Sequence, residues 1–305
     1  MQVPARFEYE RASSVPHALA LLERYGPESR VIAGGHSLIP MMKLRLARPD
    51  VLIDINGLEE LSFLGVEDDV LVIGALVRHA QFLADPAVGR YFPIFHDAER
   101  VIADPVVRNR GTVGGSLCQA DPSEDLSAAF AAVRATAVIQ GPGGVREVPI
   151  RRFHRGPYET AVEPGELLVR LRVPIRPGAA SAYEKVERRA GDWPVAAAGA
   201  QLRLDGGVIA EAGIGLTAVG AEHFAAPEAE EYLAGKAPGA EAFAEAGRIA
   251  AANCAPRADQ RGPAAYKRHL AGELVRRALT RAAGRAAEGT AQGAGDRTGD
   301  RRGEG

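Results

Sequence analysis

The chain has 305 residues, 46% hydrophobic and 25% charged, with a formal net charge of −2. That length supports two or three subdomains around substantial cores, and the charge offers no electrostatic case for nucleic acid or an anionic membrane. Cys118 and Cys254 stand alone, which leaves a disulfide framework, a cysteine-ligated zinc site and an iron–sulfur cluster unsupported.

In chain order, Phe7–Tyr9 is expected as a strand, and Ser13-Ser-Val-Pro caps a helix bearing Ala18, Leu19, Leu22 and Tyr25, stopped by Gly26-Pro27. Val31 and Ile32 end a short buried strand. Gly34 and Gly35 then permit a tight turn, because a residue without Cβ takes positive φ freely. Ser37 is expected as the N-cap of a helix over Leu38–Arg45, with Pro40 tolerated in its first turn. A strand at Val51–Ile55, closed by Asn56-Gly57, completes a βαβαβ-like unit over residues 1–57.

The second stretch, 58–176, changes character. Leu61–Val66 and Val70–Ile73 read as strands, Val77–Ala84 as a helix stopped by Asp85-Pro86, and Tyr91–Ala103 as a further helix. A second glycine turn, Arg110–Cys118, precedes a helix over Leu126–Ala135, a hairpin of Ala137–Gln140 with Val145–Pro149, and a strand at Leu167–Val173. Residues 177–283 read as strands at Ser181–Arg188, Ala196–Leu204 and Val208–Val219 followed by alanine-rich helices. From 284 to 305 no apolar period remains, and an unstructured tail is expected. The fold class is α+β. No run approaches the ~20 apolar residues of a membrane span. Nor does the N-terminus have the layout of a signal peptide, and a cytoplasmic location is expected.

The strongest chemical signal is the pair of turns Gly34-Gly35-His36-Ser37 and Thr112-Val113-Gly114-Gly115-Ser116. Amides and hydroxyls from two such loops suit the two anionic groups of a pyrophosphate. Neither turn has the spacing of a dinucleotide Rossmann fingerprint or of a Walker loop. Asp125 suits either a helix N-cap before Leu126 or a partner for ligand hydroxyls. His36 reads as a loop hydrogen-bonder, and His79, His96 and His154 lack metal-ligand spacing.

Three motifs in order, Ala33-Gly-Gly-His-Ser-Leu-Ile-Pro-Met-Met-Lys-Leu-Arg, Arg110-Gly-Thr-Val-Gly-Gly-Ser-Leu with Ala120-Asp-Pro-Ser-Glu-Asp-Leu, and Tyr183-Glu-Lys-Val-Glu-Arg-Arg-Ala-Gly-Asp-Trp-Pro, resemble the FAD-binding medium subunit of molybdenum hydroxylases. That family includes aerobic carbon monoxide dehydrogenase and xanthine dehydrogenase, and the likeness runs from about residue 3 to 282. The resemblance implies a two-subdomain FAD-binding region of the vanillyl-alcohol-oxidase type followed by an antiparallel sheet with helices. It implies FAD held by Val31, Ile32, Ala33, Gly34, Gly35, His36, Ser37 and Leu38 in one loop and by Thr112, Val113, Gly114, Gly115 and Ser116 in the other. It further implies Ile102 and Leu168 as apolar contacts, Asp125 as a hydroxyl partner, Lys185 near the isoalloxazine and Trp193 against the ring.

The implied partners are a molybdopterin-containing large subunit, a [2Fe–2S] small subunit and an external acceptor such as NAD or a quinone, in a dimer of heterotrimers. In that role the chain carries electrons and needs no catalytic acid, base or metal ligand of its own. Two rivals are a self-contained FAD-dependent oxidase and a scaffold that has lost the cofactor.

Overall fold

The computed structural model describes residues 3–299. The first unit contains β1 (Glu8–Arg11), α1 (Val15–Tyr25), β2 (Ser29–Ile32), α2 (Leu38–Lys43) and β3 (Val51–Asp54). Its three strands pair in parallel in the order β1-β3-β2. Ser14 caps α1 by accepting from the His17 amide, and Gly26 ends it at φ 61°. Val15, Ala18 and Leu21 of α1 pack on Val51 and Ile53, and this cluster continues into Leu76, Val138, Leu167 and Val169 of the next unit. Continuity of that core fixes the first glycine loop against the body of the chain.

The second unit runs through β4 (Leu64–Glu67), β5 (Val70–Gly74), α3 (His79–Ala84), α4 (Pro86–Tyr91), α5 (Pro93–Glu99), α6 (Pro105–Arg110), α7 (Val113–Gln119) and α8 (Asp125–Ala132). It continues with β6 (Thr136–Gly141), β7 (Gly144–Pro149), β8 (His154–Gly156), β9 (Glu159–Thr160) and β10 (Leu167–Pro174). Antiparallel strands in the order β4-β5-β10-β6-β7 carry the helices over a core of Phe82, Phe92, Phe95 and Phe130, with the Phe95 and Phe130 ring centroids 4.5 Å apart. Asp85-Pro86 does stop α3, but it also starts α4, because the Asp85 carboxylate accepts the Ala87 and Val88 amides. The single helix expected over 91–103 is instead divided at Phe92-Pro93, where proline can only begin a new helix.

The third unit comprises β11 (Ala179–Val186), β12 (Ala196–Asp205), β13 (Val208–Thr217), α9 (Pro227–Leu233), α10 (Ala240–Ala252) and α11 (Ala264–Gly299). Along β12 the faces alternate: Ala197 joins the aromatic core, while Ala196, Ala198, Ala200 and Leu202 meet the α9–α11 helices. Gly213 and Gly215 lie directly on the Ala132 and Ala128 carbonyls of α8, where no Cβ has room. Every residue of α8 is buried, with β12 and β13 against it together with α5 and α7.

The expected tail from 284 onward is corrected in its first part. Helix α11 continues to Gly299, Ala286 is 7% exposed, and Arg285 binds Asp97 of α5 at 2.7 Å. Alanine's helix propensity and that packing extend the helix past the last strong apolar period. Residues 300–305 lie outside the described part. Among the described residues, no helix is long and apolar enough to cross a membrane.

Candidate functional site

The two glycine segments come from different units and meet. A Cβ on Gly34 would lie 2.7 Å from the Gly111 Cα and closer still to the Arg110 carbonyl, so only glycine lets the backbones touch. Side chains stitch the same seam. Asn56 donates to the Ala33 carbonyl at 2.7 Å, Arg78 donates to Asn56 Oδ1 at 2.8 Å, and the other arm of Arg78 donates to the Arg110 carbonyl. Loop, strand end and helix start are thereby held as one body.

The two loops offer different donors. The amides of Gly34 through Leu38 have no acceptor among the described residues, so they form a free row facing the space between the units. Gly35 turns that row at φ 80°. Ser37 holds the expected N-cap position of α2, at φ −100°, ψ −50°, but its hydroxyl makes no capping bond. In the second loop the amides from Val113 to Ser116 are already taken by protein acceptors. Val113 donates to Val77 O at 2.9 Å, Gly114 to Ala75 O at 3.0 Å, Gly115 to Thr112 Oγ1 at 3.1 Å and Ser116 to Thr112 O at 3.0 Å. The expected turn is thus the capped start of α7, and what it presents is small surfaces and the Ser116 hydroxyl.

Between them lies a cleft of about 1240 Å³, above the roughly 300–1,000 Å³ of an ordinary small-molecule site. Its wall includes Val31 through Leu38, Ile102, Thr112, Gly114, Gly115, Ser116, Asp125, Leu168 and Trp193. Two expected residues are not on it. Val113 is fully buried in the core. The Lys185 ammonium is 2.9 Å from Asp125 Oδ2, 3.3 Å from Glu187 and 2.9 Å from the Val101 carbonyl, with a side chain 2% exposed. Lys185, expected near the isoalloxazine, therefore does not line the cleft itself and reaches it through Asp125, which does.

Asp125 accepts from Tyr183 Oη at 2.8 Å as well as from Lys185. Burial pushes its carboxyl up, and the lysine works against that shift. The N-cap of α8 is its neighbour Glu124, which accepts from the Leu126 and Ser127 amides at 2.9 and 2.6 Å. Burial beside Asp125 pushes the Glu124 carboxyl up to about 7, against the hydrogen bonds from Ser127 and Leu126. Trp193 is 41% exposed on the loop after β11, and Gly191 at φ 77° packs that loop on the Ala103 carbonyl.

Residues 5–176 match the family described as the FAD binding domain in molybdopterin dehydrogenase, and residues 181–282 match the CO dehydrogenase flavoprotein C-terminal domain. The chain belongs to this flavoprotein family. It is 42% identical over 278 residues to the carbon monoxide dehydrogenase medium chain of Hydrogenophaga pseudoflava, covering 91% of this chain and 97% of that one. It is 40% identical over 278 residues to the corresponding medium chain of Afipia carboxidovorans, covering 91% and 96%. The crystal structure of the Hydrogenophaga pseudoflava carbon monoxide dehydrogenase, in a form lacking the Mo-pyranopterin moiety of its cofactor, superimposes with a TM-score of 0.90 at 43% identity, over 93% of this chain and 99% of that one.

FAD is the cofactor of this flavoprotein family, and the residues present fit it. A diphosphate needs several unshared donors, and the Gly34–Leu38 amides supply them. Glycine also seats the start of α7 tightly against the body: a Cβ on Gly114 would meet Ala75 at 2.7 Å, and one on Gly115 would meet Thr112 Oγ1 at 2.6 Å. Sequence reasoning missed several wall residues, among them His79, Glu124, Tyr158 and Glu163. Tyr158 and Glu163 belong to the segment around β8 and β9, strands too short to leave a period-two pattern.

Proposed function

We propose that this chain is the FAD-carrying subunit of a carbon monoxide dehydrogenase-like molybdenum hydroxylase. In this reading it takes electrons from the [2Fe–2S] clusters of a small partner, which draws them from a molybdopterin-containing large partner, and yields them to NAD or a quinone. A dimer of heterotrimers is the proposed assembly. The observation that carries the reading is the contact of Gly34 with Arg110 and Gly111, which turns two loops into one cleft lined with free amides. Identity of 42% and 40% with two carbon monoxide dehydrogenase medium chains supports the choice of branch.

When bound, FAD supplies reversible acceptance of one or two electrons. The protein's own residues bind and orient. The Gly34–Leu38 amides and the Ser116 hydroxyl hold the diphosphate, Asp125 receives ligand hydroxyls, and Trp193 offers a ring face. Lys185 and Tyr183 fix the Asp125 carboxylate so that it faces the cleft in one orientation. Purified alone, the full chain should carry flavin absorbance and show no carbon monoxide oxidation until both partners are added. Substrate turnover by the isolated chain would overturn the electron-carrier reading.

A further inference from the structure

His79, at the first position of α3, is 2% exposed and joins two groups through its two ring nitrogens. Nδ1 is 2.8 Å from Oε1 of Glu99 in α5, and Nε2 is 2.9 Å from Oγ of Ser116 in α7. Glu99 is completely buried and its Oε2 has no hydrogen-bond partner, so among the described residues the imidazole is what satisfies this carboxylate. A carboxylate at Nδ1 fixes that nitrogen as the protonated one. The state of Nε2 then decides what Ser116 can do.

With Nε2 bare, the ring accepts the Ser116 proton, and the serine turns only lone pairs to the cleft. With Nε2 protonated, the ring donates to Oγ, and the serine proton is free to reach an anion in the cleft. The first arrangement repels a diphosphate and the second attracts it. Losing the Nε2 proton to solvent also leaves the His79–Glu99 pair with a net negative charge beside the site. The other charged groups facing the ring are Glu124 ahead of α8 and Arg108 from α6, with Arg78 preceding it in the chain. Burial opposes the imidazolium and Arg108 adds to that, but Glu99 and Glu124 outweigh them and hold His79 above the usual histidine value.

Serine, histidine and carboxylate in this order also make hydrolytic triads. Here the Val113 and Gly114 amides are already bonded to Val77 and Ala75, and those of Gly115 and Ser116 to Thr112, so none of these four is free as an oxyanion donor. The arrangement serves binding rather than acyl transfer.

We propose that His79 is a positioning residue whose protonation turns the Ser116 hydroxyl towards the cofactor diphosphate, so that retention of FAD depends on one proton held by the Glu99–His79–Ser116 chain. The inference rests on the FAD-binding reading above and adds a residue and a pH dependence to it. Sign follows from the geometry: affinity is full below the histidine's raised value and falls as pH rises through it.

The test is a titration of the flavin-free full chain with FAD from about pH 6 to about pH 9 at constant ionic strength, read by quenching of flavin emission. The wild-type Kd should rise about tenfold across that range, the scale of one hydrogen bond to a charged group. In His79→Gln it should stay flat. Ser116→Ala, at a half-exposed position, should bind about tenfold more weakly at about pH 6 and be equally flat, and it carries the test if His79→Gln does not fold. Glu99→Gln should move the midpoint to lower pH, and Glu124→Gln, which removes a weaker contribution to the same shift, should move it less and leave the pH dependence in place. A wild-type Kd that does not change with pH overturns the inference and leaves the FAD reading standing. So does an undiminished slope in His79→Gln or Ser116→Ala, or a slope abolished by Glu124→Gln. A wild-type chain that takes up no FAD at any pH overturns the FAD reading itself.

Discussion

Gly34 and Gly111 are in backbone contact across the boundary between the first and second units, 2.7 Å from a Gly34 Cβ position to the Gly111 Cα. This contact makes one cleft of two loops, and it has no tolerance for a side chain. Gly34→Ala should push the loops apart and lower FAD affinity by about 100-fold or more, since several donor positions move together. The flavin-to-protein ratio after purification measures this. Gly89→Ala is the control: Gly89 lies in α4 with nothing within 4 Å of its Cβ position. There the change should leave flavin content intact and add about 0.5–1 kcal/mol of stability through helix propensity. Full flavin content in Gly34→Ala would mean the contact is incidental.

Lys185 tests how the buried charges behind the cleft are balanced. Its ammonium sits between Asp125 and Glu187 with both partners largely buried. Removing only the cation, as in Lys185→Met, leaves two uncompensated carboxylates and should cost about 3–5 kcal/mol in urea unfolding at neutral pH. Asp125→Asn combined with Lys185→Met should recover part of that loss, because the two residues are coupled. Equal stability of Lys185→Met and wild type would show the ammonium to be dispensable.

What could be read locally and what could not divide cleanly here. A glycine pair between a strand and a helix, or a threonine three residues ahead of a glycine amide, is written in adjacent positions, so Val31–Leu38 and Thr112–Ser116 are visible as loops in the sequence. Their meeting depends on Asn56, Arg78 and the Arg110 carbonyl, whose partners lie 22 to 32 residues away in the chain. Asn56 reads locally only as part of a turn. Lys185 illustrates the converse failure: its position in a motif does not reveal that Asp125, 60 residues earlier, takes its charge. Of the adjacent acids Glu124 and Asp125, aspartate is ordinarily the better N-cap, but Tyr183 and Lys185 from β11 engage Asp125 and the cap falls to Glu124. The motif order does carry the fold class, since the longer strands and helices of each unit show their periods even where short ones such as β8 and β9 do not.

Glu124 gives the fold a pH signature. Its carboxyl is pushed up to about 7 from an ordinary value of 4.5, first by burial. An acid whose folded value is raised binds its proton more tightly in the folded state, so stability falls as pH rises from about 4.5 through about 7, and the loss is complete above that. Glu124→Gln should flatten this segment of the curve, with wild type losing on the order of 2 kcal/mol relative to the variant between about pH 5 and about pH 8. Urea midpoints at the two pH values measure it. His154 acts in the opposite sense: burial lowers it to about 4, so it destabilises the fold as pH drops below about 6.5. The difference between Glu124→Gln and wild type isolates the carboxyl from the histidine, and identical slopes in the two proteins would remove Glu124 as the cause.

Trp193 is the single tryptophan of the chain and lines the cleft, which makes its emission a direct reporter of occupancy. FAD added to the flavin-free chain should quench that emission in step with the flavin signal, with one Kd for both. Trp193→Phe keeps a ring face at the position and should weaken binding by about 3- to 10-fold, the scale of an aromatic pair contribution of roughly 0.5–1.5 kcal/mol. Gly191→Ala acts indirectly: at φ 77° and with its Cβ position 2.5 Å from the Ala103 carbonyl, alanine must move the loop that carries Trp193. The quenching amplitude should then fall although the tryptophan is still present. Tryptophan emission indifferent to FAD, in a chain that demonstrably retains the flavin, would place the indole away from the bound cofactor and assign the ring-facing role to another residue of the wall.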